Sequence, residues 1–336
     1  MPFLQRRIAL ALALYYVGQH QLRAALRMRF YLCFLENAIF DEAQKRRCRH
    51  YFRGALFLGA VYAARRRRAL DVAEMQRFAY LGALAAYFDD LVEAFTASAS
   101  SFSAAVPHAG ATNASAWWLL ARQIDGRGGL WLLWQRLQYR LPADVLGLFD
   151  EKLRRLFDIE TRPLTVGSKE LSLSVLTRTA ALKGGYSALL FRLLLSPYPS
   201  PAERRMAMAL GAMVQASDDI FDLWHDAWRQ HQTPALYWAS KGQLGEVVRH
   251  FDRCWFCFEE RLAATSGSGL GRAAAHATGG LLAALTRFCL HHYDRLNKKH
   301  GTLPWERRSA MVLDMALWSN RLRALIFVLR KGLFFG

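Results

Sequence analysis

The chain has little that would staple or anchor it. Its five cysteines, an odd number in 336 residues, do not make a disulfide framework. Cys254-Trp-Phe-Cys257 is a C-x-x-C pair without the βαβ setting of a redox motif or the second half of a zinc site. It reads as two thiols on one face of a buried helix. Alternating β-branched runs are missing, which excludes a fold built on sheets. Lysine is scarce: only eight of the 45 basic residues are Lys. Arg, Ala and Gly are abundant together, as in a GC-rich genome, so the net charge of +18 carries little functional weight. No zinc-finger or helix-turn-helix pattern accompanies that charge, which argues against nucleic acid as a partner. An apolar run long enough to span a bilayer is also missing. Arg6 and Arg7 followed by Ile8 to Val17 imitate a signal peptide, but there is no small-x-small cleavage site and the run meets Gln19. It is shorter than the ~20 residues a membrane helix needs. It reads as a first helix that is buried or leans on a membrane. The tail Ala324 to Gly336 reads as a packed last helix, with membrane contact as the alternative. The expected location is the cytoplasm, with peripheral membrane contact left open.

What is present is apolar and helical. A hydrophobic content of 53% with 13% aromatic residues suffices for a large core. Ala, Leu and Arg dominate, so the expected class is all-α, a single helical domain over residues 1–336. Periodicity and turn chemistry predict helices over 3–30, 35–66, 69–97, 115–139, 142–160, 169–195, 201–231, 242–264, 270–299 and 304–331. The firmest break is Ser196-Pro-Tyr-Pro-Ser-Pro201, because proline cannot sit inside a helix without kinking it. Arg162 to Ser168 ends another helix. Ala97 to Ser115, rich in Ser, Ala and Gly, reads either as a lid or as plain surface loop. Arg65 to Arg68 and Lys45-Arg46-Arg47 read as solvated helix ends.

Two acidic clusters stand out. In Gly211-Ala-Met-Val-Gln215-Ala-Ser-Asp218-Asp219-Ile-Phe-Asp222-Leu-Trp-His-Asp226, helical spacing places Asp218, Asp222 and Asp226 along one side, with Asp219 and Gln215 in the same arc. Like charges at i,i+4 repel, so such a row is either fully solvated or neutralised by cations. Oxygen-only donors suit Mg²⁺ or Mn²⁺ rather than Zn²⁺. Upstream, Asp89-Asp90-Leu-Val-Glu93 shares one arc after the apolar run Phe78 to Phe88. Two carboxylate clusters across a cavity would hold metal together with phosphate oxygens. Between them lies Thr177-Arg178-Thr-Ala-Ala-Leu-Lys183-Gly184-Gly185-Tyr186. Two adjacent glycines cost about 1 kcal/mol each relative to Ala in a helix, which predicts a local unwinding near Gly184. Arg178 and Lys183 are placed to reach an anion there. The alternative is a glycine packing contact with basic groups on the surface.

Gly211-x-x-x-Gln215-x-x-Asp218-Asp219-x-x-Asp222 resembles the second aspartate-rich motif of trans-isoprenyl diphosphate synthases. Asp89-Asp90-x-x-Glu93 resembles the first metal-binding motif of class I isoprenoid synthases, terpene cyclases included. The resemblance covers roughly residues 50–300. It implies a helical bundle of the class I isoprenoid synthase type, with a central cavity that holds a prenyl diphosphate through Mg²⁺. Asp89, Asp90, Glu93, Asp218, Asp219 and Asp222 would be the metal ligands. By position and residue type, the resemblance also implies roles for Arg178, Lys183 and Gly184 at a broken helix that senses the diphosphate. Gln215, Tyr186 and Phe88 would face the substrate, and Arg287, Arg295, Lys298 and Lys299 supply basic groups on a late helix.

Elongases of this family resemble one another in a Gly-Gly-Lys-Arg segment upstream of the first motif and a pair of Arg after it. Neither is present here, and no Arg follows Glu93 until Arg122. A cyclase or other single-substrate synthase is therefore the expected activity. The Asp-Asp-x-x-Asp form of the second motif keeps a chain-elongating or acceptor-type prenyltransferase as the alternative. A non-catalytic, membrane-associated helical protein is the other. A homodimer stays open as an assembly.

Overall fold

The computed structural model describes residues 3–36, 40–102, 128–165, 171–196, 198–313, 319–320, 322–324 and 326–327, with side chains described for all of these except 3, 90–102 and 161–165. Among the described residues every regular element is helical and no strand occurs. The helices are α1 (Phe3–Tyr31), α2 (Glu42–Arg66), α3 (Val72–Phe102), α4 (Gly129–Gln138), α5 (Ala143–Thr165) and α6 (Leu173–Leu193). They continue with α7 (Pro201–Phe221), α8 (Leu223–Arg229), α9 (Pro234–Ser240), α10 (Leu244–Ala263), α11 (Gly269–His300) and α12 (Arg308–Met311).

Caps explain several of the boundaries. Ser200 caps α7 in a capping box with Glu203, and Pro201 takes the first turn, where a missing N–H costs nothing. Asp41 and Gln44 form the same box at α2. Thr233 caps α9 ahead of Pro234. Helix α11 runs from the Ser268 cap to Gly301, whose φ of 77° suits glycine.

The chain divides into two compact units. One comprises residues 1–12, 170–188 and 200–336; the other comprises 13–169 and 189–199. In the first, α7 packs on α10 and α11, and α10 packs on α9 and α11. Its core holds Phe251, Phe258, Tyr293 and Leu210. In the second, α2 packs along α3, and α3 also meets α4 and α5. Phe78 lies against Phe191 with ring centroids 5.1 Å apart, and Trp134 stacks on Phe149 at 5.9 Å.

Several expectations change. The helix expected over 201–231 is two helices joined at Asp222. Helix α9 falls in a stretch expected to be irregular. The helix expected over 304–331 is not continuous: α12 covers Arg308–Met311, the backbone turns extended at Val312, and the described residues 319–320, 322–324 and 326–327 are helical again. The expected loop from Ala97 is still helical through Phe102. The rest of that loop, the start of the helix expected at 115, and nearly all of the C-terminal tail lie outside the described residues.

The arginine run at the end of α2 is solvated only in part: Arg67 and Arg68 are exposed, but Arg65 is buried and Arg66 nearly so. Glu74 is only 1% exposed and accepts hydrogen bonds from Arg66 Nη1 at 2.8 Å and Arg68 Nη2 at 2.6 Å. It also closes a capping box with Asp71 at the start of α3. Arg66 further donates to the Ser196 carbonyl at 2.9 Å. The run folds back because a buried carboxylate needs paired cations to be tolerated.

Candidate functional site

The site is built on the first unit, where α6 crosses α7. Helix α6 is continuous through Gly184 and Gly185, so the unwinding expected there does not occur. The glycines serve a close helix crossing instead. A Cβ on Gly184 would lie 2.2 Å from the Gly211 carbonyl oxygen and 2.7 Å from Gln215 Cβ; one on Gly211 would lie 2.0 Å from the Gly184 oxygen. Gly185 meets Met208 in the same way, at 2.7 Å from its methyl carbon. Gly184 therefore presents no opened turn to a cavity, and its expected backbone role is replaced by packing. Arg178 is exposed and Tyr186 half-buried on the same helix.

The crossing puts Lys183 in electrostatic reach of Asp219. Asp219 is 5% exposed and accepts a hydrogen bond from Gln215 Nε2 at 2.8 Å, one helical turn before it. Burial pushes its carboxyl up to about 6. Gln215 and Lys183 oppose that rise and Asp222 adds to it. Burial likewise pushes Asp226 up to about 7, helped by repulsion from Asp219, Asp222 and Asp218; a hydrogen bond with Thr233 opposes it. His231 Nδ1 lies 3.9 Å from Asp226 Oδ1. Asp218 and Asp222 are exposed. The four aspartates thus form one coupled patch, as helical spacing predicted.

Asp222 sits at the joint between α7 and α8, with φ −93° and ψ 9°. That is the sparsely populated bridge region in which many active-site residues are found. The i→i+4 ladder still runs through it, from Asp222 N to Asp218 O at 2.9 Å and from Asp226 N to Asp222 O at 2.8 Å. The carboxylates therefore stay on one side although the helix yields. Tyr293 of α11, fully buried, donates to the Ile220 carbonyl at 3.1 Å and fixes this turn. Trp224 Nε1 donates to the Trp305 carbonyl at 2.8 Å and pins α8 from the far side of the chain.

Helix α10 brings Cys254 within electrostatic reach of Asp219, and His250, one turn earlier, has its Nε2 4.0 Å from the Cys254 Sγ. Burial pushes the Cys254 thiol up to about 11, with Asp219 contributing, and pushes His250 down to about 4. A protonated thiol beside a neutral imidazole is not an activated nucleophile.

Among the described residues no three His, Cys, Asp or Glu side chains converge as a ready-made metal cluster. Mg²⁺ demands less, since it is usually held by one or two carboxylates plus substrate phosphates and water. The donor type and the mutual repulsion within the Asp218–Asp226 patch fit such an ion.

In the second unit Asp89 accepts a hydrogen bond from the Tyr51 hydroxyl. Burial, with the Asp89 charge next, drives the Tyr51 phenol well above its ordinary value. The Arg47 guanidinium lies 5.8 Å from the Tyr51 ring centre. Asp90 and Glu93 lie outside the described side chains. Phe88 is 4% exposed and meets Phe157 edge-on at 5.5 Å, within the core.

Of the late basic groups, Arg287 pairs with Asp252 at 2.8 Å and Lys298 with Asp294 at 2.7 Å. Arg295, Lys298 and Lys299 line a shallow hollow of about 460 Å³ with His292 and Leu296. The sequence reading did not single out Tyr293, Tyr51 or His250. The two tyrosines act through partners more than 30 residues away, which no local pattern reports, whereas His250 lies one turn before Cys254 on the same helix. Comparison with protein-family models, curated proteins and solved structures returned no match.

Proposed function

We propose that the chain is a Mg²⁺-dependent enzyme that ionises a linear prenyl diphosphate to a hydrocarbon or alcohol, in the manner of class I terpene synthases. The observation that carries this reading is the aspartate patch on α7 and α8. Four carboxylates repel one another there, two of them held well above the ordinary carboxylate range. Lys183 lies within electrostatic reach of Asp219 as a counter-charge. A divalent cation relieves that repulsion.

In this reading Asp218 and Asp222, exposed on one side, hold the metal. Asp219, fixed by Gln215, orients the patch. Bound there, Mg²⁺ or Mn²⁺ would neutralise the diphosphate as it leaves. Lys183 adds fixed positive charge beside it.

The test is turnover of prenyl diphosphates of graded length by the purified chain with Mg²⁺, read as hydrocarbon release. Asp219→Asn keeps the shape of the side chain and should lower turnover by at least a hundredfold, and chelation should abolish it. Equal turnover by Asp219→Asn would refute the assignment. Incorporation of labelled isopentenyl diphosphate into a longer prenyl diphosphate would move the activity to chain elongation, the alternative that the Asp-Asp-x-x-Asp form favours.

A further inference from the structure

The part of α1 in the second unit carries a feature that the proposed chemistry does not use. Its inward face buries Ala13, Tyr16, His20 and Ala24. At 100° per residue, the opposite arc of about 120° contains, from residue 13 to 28, only Leu14, Tyr15, Gly18, Leu22, Ala25 and Leu26, and Arg29 follows in the same arc. Leu14 is 51% exposed, Tyr15 54%, Leu22 60% and Leu26 75%. A Cβ at Gly18 would meet nothing within 4 Å. Single exposed apolar residues are ordinary, but an unbroken row of them marks an interaction surface.

Charge decides what the row meets. From Phe3 to Leu35 the chain has no Asp or Glu. Arg27 and Arg29, both exposed, stand at the end of the row beside exposed Phe30. Arg27 also breaks the helical angles, with φ −123° and ψ 24°. Two copies packing these faces together would bring arginines near arginines, and neither helix has a carboxylate to answer them. An anionic bilayer answers both features: its acyl boundary takes the leucines and its headgroups take the guanidiniums. Tyrosine suits the same depth, with an apolar ring and a polar tip. No described helix is long and apolar enough to cross a membrane, so contact of this kind lies along the surface.

We infer that the outer face of α1, from Leu14 to Phe30, is a docking surface for an anionic lipid bilayer. The test is sedimentation of the full chain with phosphatidylcholine vesicles and with vesicles in which a third of the lipid is phosphatidylglycerol. Wild type should bind the anionic vesicles at least fivefold more tightly, and salt should weaken that preference. Leu22→Ser with Leu26→Ser should lower binding about tenfold or more. Arg27→Gln with Arg29→Gln should erase the preference for phosphatidylglycerol. Because Leu26 is the most exposed of the row, Leu26→Ser alone serves as a second variant whose melting temperature should match wild type while its binding falls. Absence of binding to anionic vesicles, or equal binding by the leucine variants, would overturn the inference. So would a lipid-free dimer that the leucine variants dissociate, which would assign the face to a second copy of the chain.

Discussion

Gly211→Ala should destabilise the protein, although alanine is the better helix former. The propensity gain is about 1 kcal/mol. Against it stands a methyl placed 2.0 Å from the Gly184 oxygen, 2.5 Å from its carbonyl carbon and 2.8 Å from Ala188 Cβ. Two of these neighbours are backbone, so no rotamer change relieves the contact. To restore ordinary contact the helices must part by about 1.4 Å, and a gap of 0.5–1 Å already forfeits a quarter to a half of the dispersion energy for the atoms concerned. Overpacking of this kind costs about 1–3 kcal/mol, and rigid backbone on both sides places this case at the upper end. The net loss is about 2 kcal/mol, or a fall of about 3 °C in melting temperature for a chain of 336 residues. Gly54→Ala on α2 is the control, because a Cβ there meets nothing within 4 Å. It should gain about 1 kcal/mol. Thermal unfolding followed by circular dichroism measures both. If Gly211→Ala melts at or above wild type, the crossing is not the close contact described, and the glycines need another explanation.

Glu74→Gln should cost about 3 kcal/mol, because it leaves Arg66, whose side chain is 11% exposed, without its carboxylate. Glu74→Gln keeps an acceptor for the Asp71 amide, so an effect below 1 kcal/mol in denaturant unfolding would show that the ion pair matters little. Asp226 gives a pH dependence. Its carboxyl is raised to about 7 in the folded protein. Its contribution is therefore fully present below its ordinary range near 4 and is lost as pH rises through 7. His20 and His250, both pushed down to about 4, act in the opposite direction below about 6.5, so the comparison belongs above that. Wild type should lose about 1 kcal/mol between pH 6.5 and 8. Asp226→Asn should lose much less and be the more stable protein at pH 8; equal pH slopes would contradict the assignment.

The helical class and the single-sided aspartate row were legible because both depend on local spacing. Ser200-Pro201 and Glu203 announce a helix start within four residues. Thr233-Pro234 carries the same kind of signal and would have revealed α9. The glycine pair was misread for a physical reason: its cost in helix propensity is the same whether the helix unwinds or another helix lies against it. What distinguishes the two is Gly211, on a different helix. The expectation for the arginines at the end of α2 failed in part for a similar reason, since nothing in Arg65 to Arg68 says that Glu74 will be buried and pair with Arg66 and Arg68. Tyr293 reaches Ile220 across 73 positions. No window along the chain contains that bond.

The joint at Asp222 has a further consequence. Asp218 and Asp219 lie in the last turn of α7, at the end where the helix dipole is negative and anions are disfavoured. Caps, core and ion pairs elsewhere agree with the fold, so this turn is a point of local frustration. A selection for thermal stability alone should therefore enrich Asn, Lys or Arg at 218, 222 and 226, trading away the negative charge. A selection that also demands the carboxylates must find its stability in other parts of the chain.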